Sequence, residues 1–275
     1  MYNKIDFHTH IYPEQIAAKA TANLAKFYEF TVKGNGTISE LEENGRSCGV
    51  QGFLLLGVAT NAHQVERVND HLLATTLESR SRGFLTNAFG CMHQDYENVE
   101  NEVDRMLSIG LCGVKIHPDI QGVNIDDKRL MRLYEAIEGR MPIYFHMGDC
   151  REQYPFSKAK KLYSVMKRFP NLKVIAAHFG SYSEWENVPM LADMDNIAFD
   201  TSSSLQFMSV EKARELVELL GSDRIMFGSD YPVILPEEEI ELFMKLGLSD
   251  EDNKKIFYDN AIRFLSACPN GYVGV

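Results

Sequence analysis

No stretch of these 275 residues stays apolar for the roughly 18 positions that a membrane-spanning helix needs. Basic residues are also in short supply: 28 Lys and Arg stand against 39 Asp and Glu, a net charge of −11. That balance argues against nucleic acid or an anionic membrane surface as the main partner. The five cysteines (Cys48, Cys91, Cys112, Cys150, Cys268) are scattered, odd in number and contain no CxxC pair. They read as the reduced thiols of a cytoplasmic protein, which excludes a disulfide framework and a zinc-finger cluster. Asp6, His8 and His10 fall where the apolar core of a secretory leader would have to lie, so none is expected. No Pro/Gly/Ser-rich linker, charge run or solenoid repeat divides the chain, and residues 1–275 are read as a single domain.

What is there is alternation. Short apolar runs recur as NKIDFH, GFLLLG from Gly52, RGFLTNAFG from Arg82, CGVKIH from Cys112, PIYFH from Pro142, LKVIAAH from Leu172, NIAFDT from Asn196 and RIMFGSD from Arg224. Between them lie amphipathic stretches with helix signals. Asp126 and Asp127 open one that ends near Gly139, Ser157 opens one closed by Pro170, and Ser209 opens one ended by Gly221. From the second run onward the starts are about 30 residues apart, the length of one βαβ unit. Eight such strands predict a parallel α/β sheet closed into a (β/α)8 TIM barrel. An open doubly wound sheet would carry a glycine-rich phosphate loop after its first strand, and HTHIYPE occupies that place. The first connection, Ile11 to about Val50, is the longest and is expected to cover the barrel mouth.

In such barrels the chemistry sits at the C-terminal ends of the strands. Five of the eight histidines fall there: His8, His10, His117, His146 and His178, with His93 just past strand three. His63 and His71 lie in a helical stretch and read as surface residues. In an extended strand Asp6, His8 and His10 would share one face. Alone this could be an edge strand with surface histidines. Together with the other strand ends, His8, His10, His146 and Asp230 offer three imidazoles and a carboxylate, a set that suits one divalent metal ion. Zn²⁺ is the first choice, with Mn²⁺, Fe²⁺, Co²⁺ and Ni²⁺ also compatible with these ligands.

DFHTH, GVKIHP, FHMGD, FPNLKVIAAHFG, FGSDYP and the terminal NAIRFL, in this order, resemble the amidohydrolase superfamily. The likeness is to its amidohydrolase-related branch, which includes the aminocarboxymuconate-semialdehyde decarboxylase-like enzymes. The resemblance implies His8, His10, His146 and Asp230 as metal ligands. It makes His178 either a second-metal ligand or the catalytic acid/base. Binuclear members place a carbamylated lysine or a glutamate on strand four; this chain offers Lys115 and His117 there, and no glutamate. Lys115 could be carbamylated, structural, or a cation that holds a substrate carboxylate; the last, with one metal, is preferred.

The expected function is metal-dependent hydrolysis of an amide, lactone or ester in a small substrate. The ion would lower the pKa of its water to about 7. Asp230 would act as base, with His178 polarising the substrate oxygen. The compact chain favours this over the alternative, non-oxidative decarboxylation of an unsaturated or aromatic acid. Arg151, just past His146, is a further candidate for a carboxylated substrate. A homodimer is compatible with the resemblance.

Overall fold

The computed structural model describes residues 2–274. Its strands are β1 (Lys4–Thr9), β2 (Val50–Leu56), β3 (Asn87–Cys91), β4 (Gly113–Ile116), β5 (Ile143–Phe145), β6 (Val174–Ala176), β7 (Ile197–Asp200) and β8 (Ile225–Met226). All neighbours pair in parallel, in the order β1 to β8. The ring is closed by backbone bonds between its first and last strands. Phe7 N donates to Phe227 O (2.8 Å), Asp230 N to His8 O (2.8 Å) and His10 N to Tyr231 O (2.7 Å). The fold is a single-domain (β/α)8 barrel, as the spacing of apolar runs predicts.

Strands covered on both faces are apolar almost throughout, and their alternation sorts inside from outside. Phe53, Leu55, Val114, Ile116, Ile143, Phe145, Val174 and Phe199 face the helices. Leu54, Leu56, Phe89, Tyr144, Ile175 and Met226 fill the interior. Several strands are shorter than predicted: Arg82–Leu85 is a turn and connection before β3, and β8 keeps only two residues.

β1 departs from simple alternation. A bulge lies between Asp6 and Thr9, where three steps along β1 match two along β2, from Phe53 to Leu55. An extra residue in a strand shifts the phase of its side chains. Phe7 therefore packs inside with Leu54 and Tyr144, yet His8 also reaches inward. Asp6 is instead tied to the segment after β8, accepting from Ser229 N (2.9 Å) and Ser229 Oγ (2.5 Å). The expected common face of Asp6, His8 and His10 is not what forms.

The first connection holds two helices, α1 (Glu14–Tyr28) and α2 (Ile38–Cys48). α1 is alanine-rich and built from good helix formers; α2 is capped by Thr37, whose hydroxyl accepts from Glu40 N (3.3 Å). The link between them is stitched to the loop after β8, with Gly34 N donating to Pro232 O and Lys33 N to Val233 O. Gly36 has φ +80°, and a Cβ there would sit 2.8 Å from the Tyr12 ring. At the opposite end, Phe264 from the NAIRFL helix (Asn260–Ser266) meets Phe7 edge-on and plugs the barrel floor. Among the described residues no helix is long and apolar enough to cross a membrane.

Candidate metal centre

The interior alternation places Lys115, Tyr144 and Asp200 inward on β4, β5 and β7, and the strand ends add the histidines. Non-glycine residues turn left-handed here, among them His178 (φ 61°) and Asp230 (φ 68°). Such conformations cost ~1–3 kcal/mol each and persist where the surroundings impose them. At His178 the turn compensates for phase, since position 178 would otherwise continue the outward series of Val174 and Ala176.

Hydrogen bonding decides which nitrogens carry protons. His8 Nδ1 lies 2.9 Å from Asp200 Oδ2, and His10 Nδ1 lies 2.9 Å from the Leu56 carbonyl. Both partners only accept, so each Nδ1 donates and each Nε2 presents a lone pair. Those two Nε2 atoms sit 3.1 Å apart, with Asp230 Oδ1 at 3.2 Å and 3.5 Å from them. Burial pushes the His8 pKa down to about 3 and that of His10 well below its ordinary value, so no extra proton lies between them. Burial also pushes the Asp230 carboxyl up to about 7, a carboxylate short of positive partners. Three acceptor atoms thus converge with no donor between them, while the other oxygen of Asp230 accepts from Ser203 Oγ (2.6 Å). That donor set fits a divalent cation, for which imidazole nitrogen and carboxylate oxygen are ordinary ligands.

Asp200, the last residue of β7, supports this arrangement. Its Oδ1 accepts from His178 N (3.0 Å), Ser202 N (2.9 Å) and Ser202 Oγ (2.5 Å); Oδ2 takes His8 Nδ1 and the Tyr144 hydroxyl. Burial works to raise its pKa, but His8, His178 and Ser202 outweigh it and hold the carboxyl well below the usual range. The signal available in the sequence was period-two alternation along NIAFDT, which sends Asp200 inward with Ala198. In Asp200→Asn the amide nitrogen can face His8 and favour the tautomer with hydrogen on Nε2. Divalent-ion affinity, measured by chelator competition, should fall about 10- to 100-fold; unchanged affinity would show that Asp200 does not set the His8 tautomer.

The fourth expected ligand stands aside. His178 Nδ1 donates to Ser202 O (2.9 Å), leaving the lone pair of Nε2 2.9 Å from His146 Nδ1. His146 therefore carries its proton on Nδ1, and its buried Nε2 has no hydrogen-bond partner among the described residues. That atom lies 3.8 Å from Asp119 Oδ2, and the ring stacks on His117 at 4.0 Å. So His8, His10 and Asp230 form one group of potential ligands, and His146 belongs with His117 and Asp119 in another.

Lys115 is 1% exposed, its Nζ unpartnered and 4.5 Å above the Tyr144 ring. Burial pushes its pKa down to about 8, with Asp200 and Asp230 working against the shift. Arg151 is placed differently from the expectation that it binds substrate. Nε and Nη2 are taken by Asp149 (2.9 Å and 2.6 Å), Nη1 by the Phe27 carbonyl (2.5 Å), and the guanidinium lies over Tyr28 and Tyr154. A buried carboxylate two residues away and a planar donor fork make that pairing the favoured one. Arg151 thus ties the end of α1 to the loop after β5. His71 is half-buried with an unpartnered Nε2, while His63 is exposed as expected.

Barrel and donor set together define an α/β-barrel enzyme with a place for a divalent metal at its mouth. The amidohydrolase family model matches residues 5–266, and the chain belongs to that family. It is 23% identical over 251 residues to 2-amino-3-carboxymuconate-6-semialdehyde decarboxylase of Dictyostelium discoideum, covering 75% of this chain and 67% of the relative. Among solved structures it is similar to 5-carboxyvanillate decarboxylase from Sphingomonas paucimobilis (TM-score 0.73, 16% identity, 96% of this chain and 99% of the other). It is also similar to dihydroxybenzoic acid decarboxylase from Polaromonas sp. JS666, solved with manganese and the inhibitor 2-nitroresorcinol (TM-score 0.72, 16% identity, 99% and 100%).

Proposed function

We propose that the protein is a metal-dependent, non-oxidative decarboxylase of a small unsaturated or aromatic carboxylic acid. The observation that carries this reading is the pairing of an acceptor triangle with His178, whose Nε2 lone pair, shared with His146 Nδ1–H, faces the same mouth. The decarboxylase names of the relative and of both structural neighbours weigh toward it and away from hydrolysis. Compactness loses force as an argument for hydrolysis, because the alignment spans 99% of the 5-carboxyvanillate decarboxylase chain.

His8, His10 and Asp230 would hold the ion, with His146 completing the set by its free Nε2. When bound, the ion supplies positive charge that binds substrate oxygen and draws electron density from the reacting carbon. Lys115 presents an unpartnered, buried charge suited to a carboxylate. Tyr182 lies 5.9 Å from the His178 ring and Phe207 5.5 Å from Tyr182, an aromatic wall for a planar substrate. The carbon–carboxyl bond breaks, its electron pair stays on carbon, and that carbon takes a proton from His178 Nε2 as CO₂ leaves. Burial pushes the His178 pKa down to about 4. Nε2 would take the proton it delivers from solvent, a nearby carboxylate would favour that imidazolium, and burial makes it a strong acid. The ligand chemistry accommodates zinc, and the manganese of the Polaromonas enzyme shows a second metal to test.

The test is a panel of 2,6-dihydroxybenzoate, 5-carboxyvanillate and a carboxymuconate-type acid, run in D₂O with CO₂ detection. The expected result is CO₂ release with one deuteron at the vacated carbon. Cleavage of lactones or amides without CO₂ would contradict it and leave Asp230 as the base of a hydrolase.

A further inference from the structure

Tyr28 is the last residue of α1, and Glu29 after it turns left-handed (φ 61°), so the helix ends by setting this side chain over the barrel mouth. Its Oη lies 2.8 Å from His117 Nε2, and its ring is 6.1 Å from that of His146. His117 Nδ1 is already committed, accepting from Ile120 N (3.3 Å) at the start of the short helix after β4. An imidazole nitrogen that accepts has no hydrogen, so the proton of neutral His117 is on Nε2. Nε2–H therefore donates, and the Tyr28 oxygen is the acceptor.

The consequence is a spare donor. Tyr28 has an O–H whose hydrogen finds no acceptor among the described residues: His117 is the one partner of Oη. Asp230, Asp119 and Asp149 all act on its charge, yet none is within hydrogen-bonding distance. Burial raises the phenol pKa well above 10, so the hydrogen is present at neutral pH. Arg151, clamped to Asp149 and to the Phe27 carbonyl, lies 5.4 Å over the ring and fixes the helix end. A rigid phenol, half-buried and with an uncommitted donor, is an expensive feature unless something arrives to accept from it. Lys115 Nζ at the end of β4 is likewise without an acceptor.

We propose that Tyr28 is a substrate-binding residue, its phenolic O–H donating a hydrogen bond to the carboxylate of the acid that the centre decarboxylates. The assignment rests on the decarboxylase reading above. It places one substrate contact on the first connection, outside the strand ends. A phenol donating to an anionic oxygen gives a strong, charge-assisted bond, and its loss is worth about 10- to 100-fold in affinity.

The experiment compares two probes that differ only in the carboxylate, 2,6-dihydroxybenzoate and resorcinol, binding to manganese-loaded wild type and Tyr28→Phe by calorimetry. Ion content and melting temperature are recorded for both proteins. Phenylalanine keeps the ring and its packing and removes only the hydroxyl. The expected result is that Tyr28→Phe binds the acid at least about tenfold more weakly, with resorcinol binding, ion content and melting temperature unchanged. Equal weakening of both probes, or loss of the ion, would overturn the proposal and make Tyr28 a buttress for His117 and His146. Acid binding that is the same in both proteins would overturn it as well, while leaving the decarboxylase reading in place. If wild type binds neither probe and releases no CO₂ from any acid of the panel, both readings fall together.

Discussion

Replacing His10 with alanine is expected to empty the metal centre. Two atoms of the triangle would remain, His8 Nε2 and Asp230 Oδ1, 3.2 Å apart, and with His146 they would leave the ion one protein ligand short. Loss of a direct ligand should exceed the ~10- to 100-fold that a supporting partner contributes to affinity. CO₂ release should fall to background. Folding is spared, because His10 sits at the mouth and its one side-chain bond within the protein's frame is to the Leu56 carbonyl. Melting of the metal-free variant should stay within a few degrees of metal-free wild type. Elemental analysis after dialysis, beside calorimetric melting, checks both halves. Retention of the ion would mean that the acceptor triangle is not where it binds.

His178→Asn is expected to separate chemistry from metal binding. Asparagine tolerates the left-handed backbone at this position (φ 61°) better than most residues, and its amide can donate to the Ser202 carbonyl as Nδ1 does now. The ion should stay bound, and the acid should still bind. Turnover should drop ~10²- to 10⁴-fold, the usual contribution of a positioned general acid. Single-turnover CO₂ release and metal content, measured on one preparation, decide it. Loss of metal with activity would make His178 a ligand and point to a second ion, with Lys115 then the strand-four residue nearest to a bridging role.

Much of this was open to reading in the residues. Eight apolar runs at regular spacing had to be strands because each is buried on two faces, and the positions at their ends followed from the barrel itself. His8, His10 and Asp230 could be grouped on those grounds alone. The bulge at Asp6–Thr9 could not, since the extra residue is a property of how β1 matches β2. The inward turn of His178 has the same character: a left-handed backbone at a non-glycine residue leaves no mark in composition. Arg151 looked like an anion receptor because its guanidinium is polar and near His146 in sequence. Whether a cation is free depends on its neighbours in space, and here Asp149 and the Phe27 carbonyl claim it. Tyr28 was hidden for the opposite reason. Its helix is unremarkable in sequence, and its role emerges only when the His117 tautomer is fixed by Ile120.

Metal content per chain, determined by elemental analysis of protein purified without added metal or chelator, bears most directly on the centre. One ion per chain is the expected result, held by the triangle of His8, His10 and Asp230. No bound ion, even after reconstitution with zinc and with manganese, would contradict it.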